Sequence, residues 1–241
     1  MQNIYFWADV ETSGTKPTVH QILTLAFVAE DHTGKELARL DLKTLILEGR
    51  AIDQGALTVN KIDPYSEAWS KDALTYPELA NQVVQFVKNL SVPDCDNLFL
   101  AYKAGFDQGF ISDLITEPVF KSLFNIVVDP YNMAKKLTKN DQLLTPMKKS
   151  TYAGGADYRS STLQDVATTL HTVCKDGEAH AAMPDVLTLI PTTNILFIML
   201  HGFSFYNQPE LLKEYSLSWN PKTKTDKNHQ LVLKTISEIK D

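Results

Sequence analysis

The periodicities of the chain predict an α/β fold: a mixed five-stranded sheet, three antiparallel strands followed by parallel ones, flanked by helices. Three observations carry this. Three runs rich in β-formers crowd the first fifty residues and are separated by turn-like segments, as in an antiparallel meander. Two later short apolar runs alternate with segments of helical periodicity, the mark of crossover connections. The chain, 241 residues of which 44% are hydrophobic and 22% charged, is long enough to bury one sizeable core.

The elements follow in order. Ile4 to Asp9 is apolar and aromatic, a buried strand. Ile22 to Glu30 is a second strand leading to the turn Asp31-His32-Thr33-Gly34, and Leu37 to Leu47 a third. Ala51 to Ile62 reads as a short helix that must stop before Asp63-Pro64, because the residue before proline avoids helical geometry. Thr75 to Leu90 is a helix with Thr75 as cap, Pro77 in the first turn, Glu78 three residues after the cap, and a stripe of Leu79, Val83, Phe86, Val87 and Leu90. Asn97 to Tyr102 is a strand, Phe106 to Ile115 a helix, and Phe124 to Val128 a strand ending at Asp129-Pro130. Residues 138–160, with Gly154-Gly155, read as a mobile loop. Thr162 to His171, Pro184 to Ile190 and a segment near Ile195 to His201 are three separate helices. The tail from Asn220 is polar, and Leu231 to Ile239 is expected as a loosely held terminal helix.

Composition excludes several classes. Cys95 and Cys174 are too few for a disulfide framework and lie in no zinc-ligand spacing, a usage that suits a reducing cytoplasm. MQNIYFWADV has no basic stretch followed by a cleavable apolar segment, so no export signal is expected. The most apolar stretch, Ile195 to Leu200, is too short to span a bilayer, so no membrane partner is expected. A net charge of −6 argues against a protein that coats nucleic acid. The charge is uneven, however: Lys135, Lys136, Lys139, Lys148, Lys149 and Arg159 face only Asp141 and Asp157 in their segment. An acidic body with one basic segment suits an enzyme that holds metal with carboxylates and guides a polyanion with lysines.

Three constellations carry chemistry. On a strand, Asp9 and Glu11 point to the same side while Val10 points away. Two carboxylates ending an apolar strand repel each other and lose solvation, and a divalent cation with a preference for hard oxygen ligands is a reason to keep them. With 29 acidic residues, acid-x-acid pairs arise by chance about three or four times, so position adds the weight: Phe6-Trp7-Ala8 leads in, and the small-residue turn Thr12-Ser13-Gly14 follows. Asp107 falls in the first turn of a helix after an apolar strand, where an acid is also favoured by the helix dipole alone. In His180-Ala181-Ala182-Met183-Pro184-Asp185, Pro184 belongs to a first helical turn, placing His180 at or before the helix start and Asp185 within it.

With Asp9-Val10-Glu11-Thr12, Phe106-Asp107, and His180 with Asp185 in that order, the chain resembles the DEDDh exonucleases of the ribonuclease H-like fold. Within them it is most similar to the nuclease domain of bacterial exonuclease I, through Glu11 to Pro17, Gly55 to Ile62 and Leu163 to Asp185. The resemblance implies a 3′→5′ exonuclease that releases nucleoside 5′-monophosphates, with single-stranded DNA the favoured substrate. Asp9, Glu11, Asp107 and Asp185 would ligate two Mg²⁺ or Mn²⁺ ions, and His180 would be the general base. Thr12, Ser13, Leu57, Ile62 and Phe106 are candidates for holding the terminal nucleotide, and Lys148 and Lys149 for tracking the incoming strand. The nuclease domain is expected over residues 1–205, with 206–241 a partly flexible extension, and replication or repair proteins as partners. Two departures stand out. Lys103 occupies a position where the family usually has asparagine, altering local hydrogen bonding or placing a charge near the phosphates. Only about fifty residues follow Asp185, too few for the further domains of exonuclease I. The competing readings are a non-catalytic binding relative on the same fold, against which the five filled reactive positions speak, and a polymerase proofreading subunit docking through its tail.

Overall fold

A computed structural model describes residues 3–151, 155–175 and 181–217. Strand β1 (Asn3–Thr12) pairs antiparallel with β2 (Ile22–Glu30), which pairs antiparallel with β3 (Glu36–Lys43). The β2–β3 hairpin turns at Gly34, whose φ of +84° favours glycine and over which the Tyr206 ring packs too closely for a Cβ. Helices α1 (Gln54–Asn60), α2 (Glu67–Ser70) and α3 (Tyr76–Leu90) follow. Asp53 caps α1, and Lys61 in the left-handed region closes it, so the helix is shorter at both ends than the expected Ala51 to Ile62. At α3, Thr75 and Glu78 form the capping box that their spacing predicts.

Strand β4 (Asp96–Leu100) lies parallel to β1, α4 (Gly105–Ile115) and α5 (Glu117–Leu123) follow, and β5 (Ile126–Val128) lies parallel to β4. The sheet order is β3-β2-β1-β4-β5, three antiparallel strands and then the parallel ones, as predicted. Strand alternation makes two cores. Ile4, Phe6, Ala8 and Val10 face α3, α4 and α5, with Phe27, Phe99, Phe120 and Phe124 packed among them. Tyr5 and Trp7 face the opposite side, toward α6 (Tyr131–Lys139) and α8 (Ala182–His201).

Two expectations are corrected. Residues 138–160 are not simply a loop: α6 runs to Lys139, and β6 (Met147–Lys148) pairs antiparallel with β7 (Tyr158–Arg159). Arg159 draws the hairpin down by donating to Asp141 and to the Thr145 carbonyl. After α7 (Leu163–Leu170), the predicted break between the two last helices is absent, and α8 runs through Pro191. A proline inside a helix costs about 3 kcal/mol; here its ring is on the exposed side, and Val186 and Leu189 before it and Leu196 and Phe197 after it bury together on β1 and β2. By length and composition this twenty-residue helix could cross a membrane, but its inward side is the core of this fold. Two 3-10 helices, Phe205–Asn207 and Pro209–Tyr215, close the same core with Phe205, Leu212 and Tyr215. The predicted tail helix lies outside the described residues.

Candidate active site

β1 outruns its parallel neighbour. Pairing with β4 ends at Trp7–Leu100, so Ala8 to Glu11 extend into the crevice at the carboxyl ends of the parallel strands, where open α/β sheets bind ligands. Asp9 and Glu11 share the side of Tyr5 and Trp7 and therefore face α8. Helix α8 begins at Ala182, with Pro184 and Asp185 in its first turn. The result is one group: Asp9, Glu11 and Asp185 each offer a carboxylate oxygen, all within 4.8 Å of one another. Asp107, buried on the first turn of α4, approaches β1 from the other side and accepts the Val10 N–H at 3.1 Å. That N–H has no strand partner because β4 has ended.

The electrostatics are those of a site short of positive charge. Asp9 is held well above the usual carboxylate range, by burial first and then by Asp107, Asp185 and Glu11. Burial, with Asp185 beside it, pushes Glu11 up to about 7. Asp107 is also raised by burial, against the pull of the backbone N–H groups it accepts. All donors in the group are carboxylate oxygens, the chemistry that suits Mg²⁺ or Mn²⁺.

Of the five predicted reactive residues, the structure brings Asp9, Glu11 and Asp185 into one group and sets Asp107 against Asp9 from α4; His180 lies outside the described residues. Among the predicted nucleotide contacts, Thr12 donates its hydroxyl to the Gly14 carbonyl. The Ser13 hydroxyl donates to the Ala51 carbonyl and accepts the Gln21 N–H, so it shapes the turn. Leu57 is buried on α1, while Ile62 lines a cavity of about 400 Å³ with Glu11, Asp41, Asn60, Trp69 and Pro184. Phe106 is 39% exposed on the first turn of α4.

A second hollow, about 770 Å³, is lined by Lys103, Tyr131, Lys135, Lys139, Lys148 and Arg159, among others. Lys148 there pairs with Asp165 at 3.1 Å, and exposed Lys149 is not part of the lining. Lys103 makes two separate contacts here. Its backbone is left-handed at φ +62° and its N–H goes to Asp129 at 2.9 Å, while its Nζ lies 5.6 Å from the Tyr131 ring centroid, in the basic hollow. Asp129 was read from the sequence only as a strand end. It proves to fasten the start of α4, accepting the N–H groups of Lys103 and Tyr131, and so stands behind Asp107. The signal was there: an acid directly after an apolar strand and before proline.

The fold matches known structures over most of its length. E. coli exonuclease I in complex with a dT13 oligonucleotide superposes with a TM-score of 0.65 at 17% identity, covering 88% of this chain and 43% of that one. The fold is that of exonuclease I. The enzyme from Methylocaldum szegediense gives 0.64 at 17% identity over 87% and 42%, and a complex of exonuclease I with SSB-Ct gives 0.64 at 17% over 89% and 43%. The chain thus spans less than half the length of these exonuclease I chains. No protein-family model and no curated protein matches the sequence.

Proposed function

We propose that the chain is a metal-dependent 3′→5′ exonuclease of the DEDDh type, shortening single-stranded DNA from its 3′ end. The observation that carries this is the convergence of Asp9, Glu11 and Asp185 within 4.8 Å at the open end of the central strand, on the fold of exonuclease I. Asp9, Glu11, Asp107 and Asp185 would hold Mg²⁺ or Mn²⁺, two ions by resemblance. A bound divalent cation supplies Lewis acidity and neutralises charge developing on the phosphoryl group. His180, just ahead of α8, takes the proton of the attacking water as its oxygen bonds to phosphorus and the bond from phosphorus to the 3′ oxygen breaks. The leaving 3′ oxygen takes a proton from solvent water, and a nucleoside 5′-monophosphate departs.

The terminal nucleotide lies between the turn after Glu11 and α4, with Ile62 and Phe106 against its base. The strand behind it follows the basic hollow. Lys103, Lys135 and Lys139 line that hollow and make no ion pair among the described residues, which leaves them for phosphates ahead of Lys148. Exonuclease I has been captured with oligonucleotides and with SSB-Ct, which supports single-stranded DNA as substrate and a replication protein as partner. A nuclease domain over residues 1–205 and a cytoplasmic setting complete the reading.

The test is a panel of end-labelled DNA and RNA oligonucleotides with Mg²⁺, Mn²⁺ or EDTA. Stepwise shortening from the 3′ end with mononucleotide release, abolished by EDTA, is expected. Shortening from the 5′ end, or no cleavage under any condition, overturns the proposal.

A further inference from the structure

Arg50, between β3 and α1, and Asp113, on α4, form an ion pair whose side chains are 3% and 2% exposed. One guanidinium serves two elements. Its Nη2 donates to Asp113 Oδ2 at 2.6 Å, and its Nη1 donates to the carbonyls of Pro17 at 2.6 Å and His20 at 3.2 Å. Those carbonyls belong to the turn that follows Glu11 and Thr12. The turn is closed on itself, with Val19 and His20 donating to the Lys16 carbonyl, and joined to the approach to α1 by Ala51 donating to Val19 and Asp53 to Ser13.

Asp113 is one of three residues on the same side of α4. Phe106, Gly109 and Asp113 are spaced by three and four, so they stack along the helix. Pro17 rests on the middle one: a Cβ added at Gly109 would stand 3.1 Å from Pro17 Cγ. The turn after the first two acids and the helix that carries Asp107 and Phe106 are thereby held at one spacing by a contact and a charge. Stability alone is a poor reason for such a pair, since desolvating both partners costs about as much as their attraction returns. Fixing a register is the best-attested use.

We infer that Arg50 and Asp113 are positioning residues of the nucleic-acid site, setting the distance between the turn Ser13 to His20 and the Phe106 side of α4, the two walls that receive the 3′ end of the strand. This rests on the proposed function and names residues outside its reaction centre. Lysine at position 50 keeps the charge but has no planar fork to reach Asp113 and two carbonyls together. Alanine at position 109 leaves the ion pair intact, favours the helix, and pushes the turn outward by a few tenths of an ångström.

Binding of a dye-labelled dT10 strand, followed by fluorescence anisotropy with Ca²⁺ replacing Mg²⁺, reads the pair without turnover. Arg50→Lys should weaken binding by about tenfold and Gly109→Ala by about threefold, with KM rising in parallel and kcat within about twofold of the parent. If Arg50→Lys does not fold, Gly109→Ala decides. Folded variants that bind as the parent does, or that lose kcat with KM unchanged, overturn the inference. A parent protein that binds the strand but releases no mononucleotide overturns the nuclease reading alone; one that binds no strand overturns both.

Discussion

Replacing Asp9 with asparagine should make the metal-free protein more stable while destroying its response to metal. The carboxylate oxygens of Asp9, Glu11 and Asp185 lie within 4.8 Å of one another. Two full charges at that distance repel by about 3 kcal/mol at an effective dielectric constant of about 20. Burial first, and this repulsion after it, keeps protons on the metal-free site, so Asp9 stands well above the ordinary range and Glu11 near 7. The sign follows. Glu11 binds a proton in the folded state that the unfolded chain has already released, so its contribution to stability is greatest at low pH and is lost as pH rises through about 7; Asp9 is shifted in the same direction. At pH 8.5, relieving about 3 kcal/mol of repulsion by Asp9→Asn should therefore raise the melting midpoint by about 6–12 °C, and by less at pH 5.5, given about 2–4 °C per kcal/mol for a domain of this size. Mg²⁺ at a hundred times its dissociation constant should stabilise the parent by about 2.7 kcal/mol and the variant far less. Melting curves followed by circular dichroism, with Mg²⁺ or EDTA at both pH values, are the assay. A metal-free midpoint below that of the parent at pH 8.5, or an undiminished Mg²⁺ shift, would refute the idea of a carboxylate cluster poised for a cation.

Other outcomes are expected from the same structure. His180→Ala should lower turnover by about 10²–10⁴-fold, the range for loss of a general base, with strand and metal affinity kept; full activity removes His180 from the chemistry. Lys135→Ala with Lys139→Ala should weaken binding of long oligonucleotides and flatten the salt dependence by about two phosphate contacts; an unchanged slope places the strand elsewhere. Glu30 is buried, accepts from Trp7 Nε1 and the Tyr206 hydroxyl on the same oxygen, and is raised above its ordinary 4.5, burial being the main cause. It takes up a proton on folding, so its contribution falls as pH rises above the ordinary value. Glu30→Gln keeps both acceptor bonds, and urea midpoints at pH 5 and pH 8 should lie closer together than in the parent; a wider gap would contradict the assigned direction.

The fold was legible where periodicity and burial coincide. β1 is hydrophobic on both sides because both are covered, and its acids could be assigned to one side because strand alternation has no other solution. The capping box at Thr75 needed only local residues. What escaped depended on distant partners. Pro191 reads as a break until the sheet is present to bury both halves of α8. The β6–β7 hairpin, with two residues in each strand, is held by Arg159 and Asp141, which no local pattern couples. At the site, Asp9, Glu11 and Asp185 lie together although Asp185 is 174 positions beyond Glu11 in the chain. The uses of Ser13 and Lys148 were hidden, since their partners Ala51 and Asp165 lie 38 and 17 positions away in the chain.

β5, three residues long, is the outer strand on its side of the sheet, and the segment after the second 3-10 helix lies along it: Asp129 donates to the Tyr215 carbonyl, and Leu217 donates to the Val127 carbonyl. A nascent chain therefore delivers β5 to the ribosome exit roughly 90 residues before its cover, and throughout that interval the strand is an open template for any neighbouring chain. Only growth of the polypeptide past Leu217 covers that edge, so until then the sheet is unguarded against self-association.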